Sequence, residues 1–227
     1  MEEKKLPFDR IYVLHMAENK ERYENIMKEL SKLQIENEVE IWWTCNKPIN
    51  NIIGKFILSL RTSYYNGIRK IKPNVYGNVF DCAYNHYSII KQSYLRGFNS
   101  ILILEDDVLF NKNLAEFKNI INAIPKDFKI VKLASSAIEN NVQNCNEVFI
   151  DKNHRDWDKY KFGATCYALS KSGMEILIKE YEKKITVSDI VINNVFSNAL
   201  LNDDCYCLAA NDLISAHNGQ KSDIVDN

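Results

Sequence analysis

Three consecutive carboxylates, Glu105, Asp106 and Asp107, directly follow the apolar run Ile101–Leu104. The run is short enough to be a buried strand. Anions gathered at a buried strand end repel one another unless a cation lies among them, and divalent metal ions prefer such oxygen ligands. Because side chains alternate along a strand, Glu105 and Asp107 are predicted to share the metal side, with Asp106 facing elsewhere. A strand that runs into an acidic turn is the alternative.

The elements before this stretch alternate between strand and helix. The segment Phe8–His15 is predicted to be a strand, Lys20–Leu33 an amphipathic helix and Val39–Thr44 a second strand. A helix predicted over Ala83–Leu95 ends before Gly97 and leads into the acidic strand. Such alternation is typical of an α/β fold with a mixed or parallel sheet between helices. The carboxylates then lie at the carboxyl end of a strand, where open α/β sheets bind ligands.

The same pattern continues to the end of the chain. Further helices are predicted at about Ile53–Ile68, after the capping residues Asn113 and Ser170, and at about Ser188–Leu200. Further strands are predicted at Lys129–Leu133, Glu147–Ile150, Gly163–Leu169 and Tyr206–Ala210. We interpret residues 1–227 as a single domain, with a polar stretch over 212–227 that is typical of a flexible tail.

Composition excludes several classes of protein. The 29 basic and 30 acidic residues give a balanced charge, unlike the basic surface of a nucleic-acid-binding protein. No apolar run approaches the length of a membrane span, and the first residues lack the apolar core of a signal peptide. The six cysteines do not have the paired spacing of a zinc site and are interpreted mainly as buried thiols. A cytoplasmic protein is predicted.

Several blocks of residues, taken in their order, resemble glycosyltransferase family 25. This family contains the lipooligosaccharide and lipopolysaccharide sugar transferases, to which the collagen galactosyltransferases are similar. The blocks are Arg10-Ile-Tyr-Val-Leu, Cys82-Ala-Tyr-Asn-His86, Gly97-Phe98 with Ile101-Leu-Ile-Leu-Glu-Asp-Asp107, Gly163-Ala-Thr-Cys-Tyr167 through Gly173, Val187-Ser-Asp189 and Ser222-Asp223-Ile224.

The resemblance implies a GT-A (Rossmann-like) fold, with a mixed, mostly parallel sheet flanked by helices. It implies a metal-dependent hexosyltransferase that moves a sugar from a nucleotide-sugar donor to a hydroxyl of a saccharide or glycoconjugate. The donor would be a UDP-sugar, with UDP-galactose as the expectation for the family. A divalent metal, Mn²⁺ or Mg²⁺, would be held by the DXD-like triplet of Glu105, Asp107 and Asp106. A glycan acceptor could bring the protein to the inner face of a membrane.

The resemblance also suggests roles for single residues. Asp189 matches an acceptor-side aspartate and could be the catalytic base, although a helix N-terminus explains it equally well. His86, Arg22 and Tyr167 are expected near the donor, although a structural histidine and a buried strand tyrosine are the alternatives for the first and last of these. His217 is expected to bind the donor or its metal, as a late histidine does in some GT-A enzymes.

Departures from the family pattern leave other functions open. The first strand ends in His15-Met16, and Arg22 alone remains of a basic pair, so the contacts to the nucleotide base and ribose are in doubt. One alternative is therefore a non-catalytic protein that binds a nucleotide sugar or carbohydrate on the same fold. A metal-dependent phosphohydrolase ranks lower, because the first strand does not end in an Asp-x-Asp sequence.

Overall fold

The computed structural model describes residues 6–44, 75–134, 148–155, 157, 164–183, 188–198, 200–209 and 214–216. For residues 75–81, 189 and 214–216 the description is limited to the backbone. The helix predicted at about 53–68 lies outside the described residues.

Seven of the described strands form one sheet in the order β2-β1-β3-β7-β5-β8-β6, and two more form a separate pair. The strands are β1 (Arg10–Met16), β2 (Val39–Thr44), β3 (Ser100–Glu105), β4 (Val108–Phe110), β5 (Ile130–Lys132), β6 (Phe149–Ile150), β7 (Cys166–Ser170), β8 (Cys205–Leu208) and β9 (Ile214–Ala216).

The sheet is mixed and mostly parallel, as predicted. Strand β1 runs parallel to β2 and β3, and β5 runs parallel to β8. Strand β7 is antiparallel to both β3 and β5, and β6 is antiparallel to β8. Strands β2, β1, β3, β5 and β8 therefore point one way, and only β7 and β6 are reversed among the described strands. This arrangement agrees with the GT-A fold that the resemblance implies.

Five helices within the described residues cover both faces of the sheet. They are α1 (Lys20–Lys32), α2 (Val75–Leu95), α3 (Leu114–Asn122), α4 (Lys171–Lys183) and α5 (Ser188–Ser197). Side chains of β3 alternate between the two layers: Ile101 and Ile103 join the core formed with α2, α4 and α5, whereas Leu102 and Leu104 join the core formed with α1 and α3. The sheet is therefore buried on both sides, which explains the continuous apolar runs of its strands.

Side-chain caps fix where three helices begin, at the positions the sequence predicted. The side chain of Asn19 accepts a hydrogen bond from the Arg22 amide at the start of α1. Asn113 forms a reciprocal capping box with Glu116 at the start of α3. The Ser170 hydroxyl accepts from the amide at the third residue of α4. Such caps satisfy backbone donors that the first helical turn leaves unpaired.

A second, two-stranded sheet was not predicted. Residues Val108–Phe110, directly after the acidic triplet, pair antiparallel with Ile214–Ala216, which lie within the stretch interpreted as a polar tail. Three-residue strands are too short to show a period-2 pattern, and their pairing joins segments about 100 residues apart, so the local sequence gives little signal. The tail interpretation was wrong for 214–216.

Three cysteines confirm the prediction of buried thiols. Cys166, Cys205 and Cys207 are buried in the sheet, and burial raises the pKa of the latter two to about 12. Burial raises the pKa of Cys166 as well. Cys82 differs, because it is only half-buried on α2.

None of the described helices combines the length and the apolar character needed to cross a membrane.

Candidate functional site

The functional side chains gather where the parallel strands β2, β1 and β3 end. In the strand register, His15 lies opposite Trp43, and Leu14 lies opposite Glu105. Because these strands point the same way, their carboxyl ends meet along one edge of the sheet. The acidic triplet therefore lies beside the ends of β1 and β2, at the kind of edge where open α/β sheets bind ligands.

Asp106 is buried between two basic side chains from β1 and α1. Its Oδ2 lies 2.7 Å from Nδ1 of His15, and its Oδ1 accepts a hydrogen bond of 3.0 Å from Nη1 of Arg22. Asp106 and His15 are 6% and 1% exposed, and Arg22 is only 8% exposed. Both carboxylate oxygens are thus engaged in a buried network, which is the geometry in which an ion pair is strong and costly to break.

The alternation rule correctly separates Glu105 from Asp106 but fails for Asp107. Strand β3 ends at Glu105, and Asp106 and Asp107 form the turn that leads into β4. Side chains alternate only while the backbone stays extended. Asp107 consequently turns toward the α1 side, where its Oδ2 lies 3.8 Å from Nη1 of Arg22. The prediction that Glu105 and Asp107 share one face, with Asp106 on the other, was wrong in this respect.

Glu105 faces the opposite layer and contacts α2. Its Oε1 lies 3.1 Å from Nε2 of His86, while Nδ1 of the same ring lies 2.7 Å from the hydroxyl of Tyr167. His86 and Tyr167 are fully buried, and the Glu105 side chain is 27% exposed. Glu105 is therefore the member of this chain of contacts that reaches solvent, and Tyr167 is linked to it through His86.

An aromatic group lies next to the acidic turn, on the side of β2. The rings of His15, Tyr23 and Trp43 contact one another with centroid distances of 5.2–5.3 Å. The ring planes of Tyr23 and Trp43 are only 30° apart. Trp43 remains 54% exposed, which is unusual for an indole held by two other rings. The group therefore presents a fixed aromatic surface to solvent beside the carboxylates.

Of two further predicted site residues, Asp189 is described only in its backbone and His217 is not described. Asp189 is the second residue of α5, which fits both a first-turn acid and an acceptor-side base, and its side chain is not described. His217 lies outside the described residues. The strand that leads to it is described, however: Ala216 pairs with Val108, the residue that follows Asp107.

Sequence reasoning missed three residues at this site. His15 was noted only as a departure from the family pattern, and Trp43 only as part of a strand. Cys82 was noted only as part of a motif, although its spacing of four residues from His86 places both on one helix face. The exposed position of Trp43 could not be foreseen, because strand alternation predicts the face that a side chain takes but not whether another part of the chain covers it.

Comparisons with known proteins agree on one family. The sequence model of glycosyltransferase family 25, described as an LPS biosynthesis protein, matches residues 8–192. Over 134 residues the chain is 28% identical to the inactive glycosyltransferase 25 family member 3 of Homo sapiens, and over 133 residues it is 27% identical to the protein of the same name in Mus musculus. Each alignment covers 57% of this chain but only 21% of the relative. The aligned part is thus about a fifth of the length of these relatives.

Solved structures with a related chain path include two glycosyltransferases. One is involved in the glycosylation of the major capsid of PBCV-1; it has a TM-score of 0.48 and 11% identity, with 93% of this chain and 94% of that chain covered. The other is the galactosyltransferase LgtC in complex with donor and acceptor sugar analogs; it has a TM-score of 0.44 and 10% identity, with 92% and 87% covered.

Proposed function

Because this chain belongs to glycosyltransferase family 25, we propose that it binds a nucleotide-sugar donor and a divalent cation at its acidic turn and transfers the sugar to a glycan hydroxyl. The observation that carries the proposal is the fixed position of the turn. Asp106 is tied to β1 and α1 by His15 and Arg22. This anchoring holds Glu105 and Asp107, its neighbours in sequence, at the carboxyl edge of the sheet.

The side-chain oxygens of the acidic turn fit a hard divalent cation only in part. Glu105 and Asp107 offer carboxylate oxygens, the ligands that Mg²⁺ and Mn²⁺ prefer. Asp106 does not fit, because both of its oxygens already bind His15 and Arg22. Arg22 lies near Asp106 and Asp107, whereas Glu105 contacts His86 on the other layer. A cation at the strand end, near Glu105 and Asp107, would reduce the repulsion among the three consecutive carboxylates. A cation held there would neutralise the charge of the departing nucleoside diphosphate.

His217 is a further proposed ligand. Pairing of Ala216 with Val108 fixes the backbone just before it next to the strand that follows Asp107. The position of Ala216 supports the proposal that His217, which follows it in sequence, is a ligand at the acidic turn.

The exposed Trp43 is the proposed platform for the donor's nucleobase. Tyr23 and His15 hold its ring, so little conformational entropy would be lost when a base stacks on it. Aromatic stacking accepts any base, because each base has a π-face. This contact would take the place of the base and ribose contacts that the family pattern assigns to residues missing here.

Asp189 is proposed to accept the proton of the acceptor hydroxyl. A general base must lie within hydrogen-bond reach of that hydroxyl in the bound complex. The start of α5 is consistent with this role, as it is with a purely structural one. Substitution of Asp189 by Asn separates the two roles. If Asp189 is the general base, the substitution should slow turnover while donor binding stays unchanged.

Donor binding is expected to raise the melting temperature of the protein. A ligand at 100 times its Kd stabilises the folded state by about 2.7 kcal/mol, which for a chain of this size corresponds to roughly 5–10 °C. Thermal shift with UDP-, GDP- and CMP-sugars, each with and without Mn²⁺, measures this. We expect a UDP-sugar to give the largest shift and to need the metal. No shift with any nucleotide sugar at millimolar concentration would contradict the proposal.

Truncation of Trp43 should weaken donor binding without unfolding the protein. Base–aromatic stacking is worth about 1–3 kcal/mol, so Trp43→Ala should raise the Kd for UDP by about 5- to 150-fold. Trp43→Phe keeps an aromatic ring, although a smaller one, and should lose less affinity for UDP than Trp43→Ala. Isothermal titration of UDP and of the free sugar tests the assignment: equal loss for the sugar alone would place Trp43 at the sugar rather than at the base.

A non-catalytic binding protein is the second candidate. It is favoured by one specific observation: the matched relatives carry the name inactive glycosyltransferase. A non-catalytic protein that binds a nucleotide sugar also predicts donor binding, so only turnover separates it from the enzyme, whereas a protein that binds carbohydrate alone predicts no donor binding. Slow metal-dependent hydrolysis of the donor by the wild-type protein, lost in Asp107→Asn, would support the enzyme. Tight binding with no hydrolysis and no transfer to any glycan would support the second candidate.

A further inference from the structure

A second set of metal-binding side chains lies directly beside the acidic turn. Cys82 and His86 are one helical turn apart on α2, and Glu105 ends β3, a strand whose Ile101 and Ile103 share a core with residues of α2. One ligand atom from each residue, a sulfur, a ring nitrogen and a carboxylate oxygen, lies within 4.8 Å of the other two. Two different elements therefore bring three different donor types together.

The ring of His86 is already held as a metal ligand requires. Its Nε2 faces Glu105 at 3.1 Å, and its Nδ1 lies 2.7 Å from the hydroxyl of Tyr167. The two rings also stack, with centroids 5.8 Å apart and planes 23° apart. A histidine that binds a metal through one nitrogen usually has the other nitrogen fixed by a hydrogen bond, which sets the orientation of the ring. Tyr167 is suited to this positioning role.

We propose that Cys82, His86 and Glu105 bind a borderline divalent transition metal ion, with Zn²⁺ as the best match. A thiolate, an imidazole and a carboxylate are all common zinc ligands, whereas Mg²⁺ and Ca²⁺ avoid sulfur. Binding converts the Cys82 thiol to a thiolate and releases its proton to solvent. Three protein ligands leave the fourth tetrahedral position for water or a bound group.

Access to the site also favours this assignment. Cys82 is half-buried and the Glu105 side chain is partly exposed, so an ion can reach both from solvent. The three cysteines of the sheet are buried instead. Among the described residues, none of these three belongs to a group of possible metal ligands. Cys82 is thus the described cysteine best placed for metal binding.

The two proposed ions would compete for Glu105. If the proposed function is correct, zinc at Cys82 and His86 withdraws Glu105 from the cation that accompanies the donor. Zn²⁺ should then reduce donor binding in the presence of Mn²⁺, and it should not do so in Cys82→Ser. This consequence rests on the proposed function, but zinc binding itself does not.

Co²⁺ is the direct probe, because a cobalt–thiolate bond gives a charge-transfer band in the near ultraviolet. The metal-free protein should bind one Co²⁺ with this band, and Zn²⁺ should displace the Co²⁺ and remove the band. Cys82→Ser should abolish the band. Asp107→Asn should leave it unchanged, because that residue belongs to the acidic turn and not to this ligand set. Far-UV circular dichroism checks that each variant is folded.

Two further variants keep the test decisive if Cys82→Ser folds poorly. Tyr167→Phe keeps the ring but removes the hydroxyl that holds His86, and it should weaken Zn²⁺ binding by about 10–100-fold. Glu105→Gln should weaken it as well while the thiolate band remains. A wild-type protein without the band, or a band that persists in Cys82→Ser, would overturn the proposal. Donor binding with Mn²⁺ could still occur in either case, so the two proposals fail separately.

Discussion

Asp106→Ala is expected to lower the free energy of unfolding by about 3–5 kcal/mol, because the substitution removes a charged partner from a buried guanidinium. The carboxylate of Asp106 accepts from Arg22 at 3.0 Å and contacts Nδ1 of His15 at 2.7 Å. Arg22 is only 8% exposed, so water can replace the lost carboxylate only in small part. Asp107, 3.8 Å away, can compensate only in part. Equilibrium denaturation in urea, followed by circular dichroism, measures the loss.

A second substitution separates the effect of the Asp106 charge on stability from the effect of its side-chain shape. Asp106→Asn keeps an oxygen that can accept a hydrogen bond from Arg22. Its free energy of unfolding should therefore fall by less than that of the alanine variant. Asp127→Ala, at an exposed position, should change stability by no more than about 0.5 kcal/mol. If Asp106→Ala behaved like this surface control, the buried network would not hold the acidic turn in place, and the observation that carries the proposed function would be lost.

The general architecture could be predicted because its signals are local and repeated. Ile101 to Leu104 form a continuous apolar run because the sheet is covered on both faces, and the same alternation that sends Ile103 toward α2 also sends Glu105 there. Caps at Asn19, Asn113 and Ser170 are read from single residue types at helix starts. The fold class followed from these local rules.

The details of the site depend on contacts between distant parts of the chain, and these were not predicted. Asp107 left the expected face because β3 ends at Glu105, and β4, which begins one residue after Asp107, pairs with a strand about 100 residues later. His15 looked like a lost donor contact in sequence. In the structure it is a buried partner of Asp106, 91 residues away. Such partners are visible only once the strands are ordered in space.

Asp107→Asn is expected to remove metal-dependent donor binding while the fold is retained. The amide has nearly the shape of the carboxylate but lacks the charge that a divalent cation requires. Loss of a hydrogen-bond partner in the outer shell of a metal site already costs about 10–100-fold in affinity. The loss of a direct ligand should therefore reach at least about 100-fold, and the Mn²⁺-dependent thermal shift with the donor should disappear.

The controls for Asp107→Asn decide between the acidic turn as a metal site and as a purely structural turn. Glu105→Gln should produce a similar loss, because that carboxylate is the other proposed ligand, whereas exposed Asp127→Asn should bind donor and Mn²⁺ as the wild type does. Stability in urea must be measured in parallel, since Asp107 also lies near Arg22. A stable Asp107→Asn protein that keeps the full metal-dependent shift would show that the cation, if one binds, is held elsewhere. The turn would then serve only to join β3 to β4, with Asp106 as its anchor.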